Sequence, residues 1–96
     1  DEFVSASQDR MVELERDIRS LEGEAASLSE EARAEASETR EELSDRAGEL
    51  EIKLDDLVDA TAEEIAEQRQ DISQALSSLT ASVRRELFEM RQAVTE

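Results

Sequence analysis

The chain has 96 residues, enough for one ordinary domain. Its 27 acidic and 11 basic side chains leave a net charge of −16, with no Cys, His, Pro, Trp or Tyr. Thiolate nucleophiles, disulfide frameworks, zinc fingers and imidazole bases are thereby excluded. Nucleic acid is a poor partner for so acidic a chain, because phosphate binding needs clustered Lys and Arg. A membrane span is absent, since no apolar run approaches about 18 residues.

The N-terminal third reads as heptads. Val4, Ser7, Met11, Leu14, Ile18, Leu21, Ala25 and Leu28 follow one another at alternating steps of three and four. That is the a/d pattern of a left-handed coiled coil. After Leu28 the period lengthens. Ala32, Leu43, Leu54, Ile65, Leu76 and Leu87 recur every eleven residues, as do Leu28, Thr39, Leu50, Thr61, Ile72, Val83 and Val94. A third row alternates between two adjacent positions, Ala36, Ala47 and Val58 on one and Leu57, Gln68, Leu79 and Met90 on the other. Eleven residues over three turns is 3.67 per turn, so these hendecads favour a nearly straight or slightly right-handed supercoil.

Gly23 and Gly48 are the only candidate breaks, and the seam stays in phase across both. Each costs about 1 kcal/mol relative to Ala inside a helix. The pattern predicts an all-α fold: one long continuous helix of about 140 Å, coiled with a second copy. The heptads run to about residue 28 and the hendecads beyond it. A hairpin at Gly48 is the alternative. Ser5, Ala6, Ser7 and Gln8 fit a capping box near the N-terminus. The charges suit exposed faces, with Glu15–Arg19, Glu42–Arg46 and Glu49–Lys53 as i,i+4 pairs. The densest large apolar residues, from Ile72 to Val94, predict the firmest packing there. The Ala- and Thr-rich stretch from Ala25 to Ala47 predicts the weakest.

The expected oligomer interface is the seam itself: Met11, Leu14, Ile18, Leu21, Leu28, Ala32, Leu43, Leu50, Leu54, Leu57, Ile65, Ile72, Leu76, Leu79, Val83, Leu87, Met90 and Val94. Polar seam residues Thr39, Thr61 and Gln68 are expected to set register between chains.

Catalysis is the poorest reading. Paired carboxylates such as Glu30/Glu31, Asp55/Asp56 and Glu63/Glu64 are abundant, but general acid–base work needs a desolvated cleft that a rod lacks. No cofactor or specific metal is expected: Glu-x-x-His pairs, a calcium-binding loop and a Gly-rich phosphate loop are all missing. Lipid association fits badly, with a narrow apolar stripe and Lys53 as the single lysine.

The sequence therefore reads as one coiled-coil rod segment, residues 1–96, of a longer protein. It is expected to self-associate as a homo-oligomer, a parallel dimer ahead of an antiparallel dimer or a tetramer. Its expected role is a structural scaffold or stalk that spaces or aligns other domains, as in a filament or cytoskeletal assembly. The alternatives are a regulatory docking module, with acidic residues 49–71 facing a basic protein partner, and a signal-transmitting stalk. A cytoplasmic location is expected.

Overall fold

The computed structural model describes the backbone of residues 2–95 and the side chains of residues 2–93. It is all-helical, but the single continuous helix is not what forms. Three helices, α1 (Glu2–Ala25), α2 (Glu30–Leu57) and α3 (Ala62–Thr95), pack against one another. The molecule measures 50 × 17 × 17 Å. At 1.5 Å per residue, the 34 residues of α3 account for the whole long dimension.

Neither turn lies where Gly invited a break. Gly23 and Gly48 sit inside α1 and α2, with helical backbone and open space around the position of a Cβ. The chain reverses instead at residues 26–29 and 58–61, which contain no Gly or Pro. At the first turn, α1 closes with i→i+3 bonds from Ser27 N to Glu24 O (3.3 Å) and Leu28 N to Ala25 O (3.0 Å). Ser29 then takes an extended backbone (φ −62°, ψ 162°), and its Oγ accepts the Ala32 N–H at 3.3 Å. At the second turn, Thr61 Oγ1 accepts the Glu64 N–H at 3.2 Å. Each cap satisfies one of the four N–H groups that a helix start leaves without a partner. Acids follow both caps, Glu30 and Glu31 in α2 and Glu63 and Glu64 in α3, where they complement the positive end of the helix dipole. The capping box expected at Ser5–Gln8 is not a helix start, because α1 is already helical from Glu2.

Side-chain contacts establish the topology. Arg10 reaches Thr80, Glu24 reaches Arg91, and the Arg69 guanidinium lies 5.1 Å from the Phe3 ring centre. The near-constant separation of 66 to 70 residues makes α1 and α3 parallel. Arg40 pairs with Glu22, and Arg46 donates to Ser82 and Ser78, so α2 runs antiparallel to both. Arg46, expected to pair with Glu42 along its own helix, turns to α3.

The seam becomes the interior of a single chain. Every expected interface residue is buried, apart from half-buried Ala32 and Leu87 and apart from Val94, whose side chain lies outside the described residues. Val4, Ser7, Ala36 and Ala47 join that core. The large side chains that are essentially inaccessible are Leu21, Leu54, Ile72, Leu76, Leu79 and Val83, four of them in α3. Folding back has a simple physical reason. Two short turns present each helix to the others at an effective concentration of millimolar order or above. Association of separate chains lacks that advantage, and −16 per chain opposes it.

Candidate functional site

With the core closed, the candidate features that remain lie on the surface. Shallow grooves run along the lines where helices meet. Between α1 and α2, Glu15, Arg19 and Glu22 face Arg40, Ser44 and Glu51 across a groove of about 290 Å³. Gly48 forms part of its floor, where a larger residue on α2 would fill space. Glu51 lies beside Glu15, and hydrogen bonding with that carboxyl and its charge raise the Glu51 carboxyl above the ordinary value. Glu51 is exposed and Glu15 half-buried, so the two carboxyls line an open groove and not the desolvated pocket that general acid catalysis needs. The Arg40–Glu22 ion pair, 3.2 Å, bridges the two helices along the groove.

Between α2 and α3, Glu86 is the residue the sequence reading overlooked. Its spacing from Val83 and Met90 gives it a core-facing position, and it is half-buried beside Glu35, Ala36, Thr39 and Met90. Burial raises its carboxyl above the usual value, and repulsion from Glu89 adds to the effect. The signal was legible: Val83, Glu86 and Met90 keep the three–four step of a core stripe.

The third feature is the pole formed by the 58–61 turn. There a groove of about 330 Å³ is lined by Lys53, Asp56, Leu57, Glu64, Glu67 and Gln68. The segment 49–71 carries nine acids against Lys53 and Arg69, a net −7. Among the described residues, no three carboxylates converge in a way that would hold a metal ion.

The three polar residues expected to set register are not gathered in a seam. Thr39 is half-buried between α2 and α3, Thr61 is exposed and caps α3, and Gln68 is exposed at the acidic pole. Val12, Ile52, Val58 and Phe88 are large apolar residues more than half exposed. Single exposed apolar side chains are ordinary on a folded surface. Among the described residues no helix is long and apolar enough to cross a membrane.

These features define an acidic, antiparallel three-helix bundle with solvent-open grooves. Comparison with known proteins finds no matching family model, no matching characterised protein and no matching solved structure.

Proposed function

We propose that the chain is a non-enzymatic structural spacer, a preassembled three-helix rod that holds what is joined to its ends apart and in line. Topology carries this reading. With three helices, the chain enters at one pole and leaves at the other. From the level of Phe3, which lies against Arg69, α3 continues to Thr95. That distance is about 40 Å at 1.5 Å per residue. The continuous core from Val4 to Met90 resists bending, because packed side chains transmit strain rather than absorb it.

Spin labels at Ser5→Cys and Gln92→Cys test the spacer, since the chain has no cysteine to interfere. Both positions are exposed, and the expected result is one narrow distance distribution near about 30 Å. A straight single helix would separate the same labels by about 130 Å. A broad distribution would remove the case for a stiff rod.

The acidic pole favours a second reading, in which residues 49–71 dock a basic protein partner. Binding of that kind weakens steeply with salt. Competition by a short polylysine, abolished when Asp55, Asp56, Asp59 and Glu63 are changed to Asn or Gln, supports docking. Salt-insensitive binding counts against it.

A further inference from the structure

The apolar rows run through the 58–61 turn without losing phase. Leu50, Leu54 and Leu57 close the α2 stripe, Thr61 follows Leu57 by four residues, and Ile65 follows Thr61 by four. An unbroken helix requires this spacing. A hairpin does not, because the second helix can begin after a loop of any short length.

The turn also begins in helical backbone. Val58 has φ −58° and ψ −42°, within the α region. Among the described residues none has a positive φ. Two i→i+3 backbone bonds, each 3.2 Å, and the Thr61 cap hold the turn. The 26–29 turn is tied more firmly. Leu28 is buried within it, and Arg33 donates to the carbonyls of Ala26 (3.1 Å) and Leu28 (3.4 Å). Val58, a member of the third apolar row, is left 56% exposed.

We infer that the 58–61 turn is a hinge at which α3 leaves its own bundle and packs into that of a second copy, as one helix continuous with α2. In the exchanged pair each α3 meets the same α1 and α2 side chains, now supplied by the other copy. Antiparallel alignment of the two long helices preserves both the α1–α3 and α2–α3 orientations. The core is therefore common to both states, and the hinge decides between them. Straightening it adds helical backbone bonds and draws the two Val58 side chains toward the two-fold axis. Charge acts against it, because the two acidic segments, −7 each, cross at that axis. Raising salt from 0.1 M to 1 M shortens the Debye length from about 10 Å to about 3 Å and lifts this brake. Closed bundles dominate in dilute protein at low salt. Exchanged dimers accumulate in concentrated protein at high salt.

The inference goes beyond the spacer reading, which concerns the closed chain, and a mixing experiment tests it separately. Arg10 and Thr80 face each other across α1 and α3, Nη2 to Oγ1 3.4 Å. One copy carries Arg10→Cys and the other Thr80→Cys. The two are unfolded, refolded together and treated with a short thiol-to-thiol cross-linker. A chain carrying both cysteines, cross-linked within itself when dilute, shows that the variants fold. Exchange predicts a cross-linked pair of the two different copies, increasing with concentration and salt. Ala62→Pro is the control. Pro is favoured at the first residue of α3 but breaks a continuous helix there, so the exchanged pair falls by about two orders of magnitude. The inference is overturned if co-refolding in concentrated protein at high salt yields no more mixed pairs than co-refolding in dilute protein at low salt. Mixed pairs that survive Ala62→Pro also overturn it, because the contact then lies elsewhere.

Discussion

Replacing Thr61 by Ala distinguishes a bundle from a continuous helix by the sign of its effect. In the bundle, Thr61 Oγ1 accepts the Glu64 N–H at 3.2 Å, and the Thr61 carbonyl accepts the Ile65 N–H at 3.0 Å. Ala keeps the second bond and loses the first. Thr61 is exposed, so little packing changes and the cap dominates. Loss of a Ser or Thr cap costs about 1 kcal/mol. In a domain of this size that lowers Tm by roughly 4–8 °C. In an uninterrupted helix, residue 61 would be interior, where Ala is favoured over Thr by a few tenths of a kcal/mol. The same substitution would then raise Tm slightly. Circular-dichroism melts of the parent, Thr61→Ala and Thr61→Ser decide the matter, with Ser expected to restore most of the loss. An unchanged or higher midpoint for Thr61→Ala would refute the turn at 58–61 and the bundle with it.

Other substitutions probe the core, the grooves and the glycines. Leu76→Ala, at a position 1% exposed, should cost about 2–5 kcal/mol in urea unfolding, while Phe88→Ala at 61% exposure changes stability by less than about 0.5 kcal/mol. Similar losses at both sites would mean that α3 is rotated from the orientation described. Gly48→Ala meets no atom within 4 Å of the new Cβ and should stabilise by roughly 0.5–1 kcal/mol, and a lower urea midpoint would count against that geometry. Glu86 supplies a pH dependence. Its carboxyl is raised in the folded state, so the folded chain holds that proton more tightly than the unfolded chain does. Ionised Glu86 therefore opposes folding at neutral pH, and the penalty fades as pH falls through its raised pKa. Glu86→Gln should raise Tm at pH 7 and much less at about pH 4, whereas an equal gain at both would show that charge is not the cause.

Much of this molecule is written along the chain. The all-helical class follows from Ala, Glu, Leu and Arg without Pro, and the buried stripe from Met11 to Met90 follows from apolar spacing. The turns were partly legible. Thr61-Ala62-Glu63-Glu64 has the Ser/Thr-x-x-Glu form of a helix start, and Ser29 precedes two acids. Both signals were masked, because Leu28, Ala32, Thr61 and Ile65 keep the seam in phase and no Gly or Pro marks the reversals. Periodicity reports which face of a helix is covered and is silent on whether its cover comes from the same chain or another. Only the tertiary arrangement decided that, by two caps and by the proximity that a four-residue turn confers over association of two chains at −16 each. It also decided that Glu86 would be half-buried and that the chain would enter and leave at opposite poles, since both depend on where three separate stripes converge.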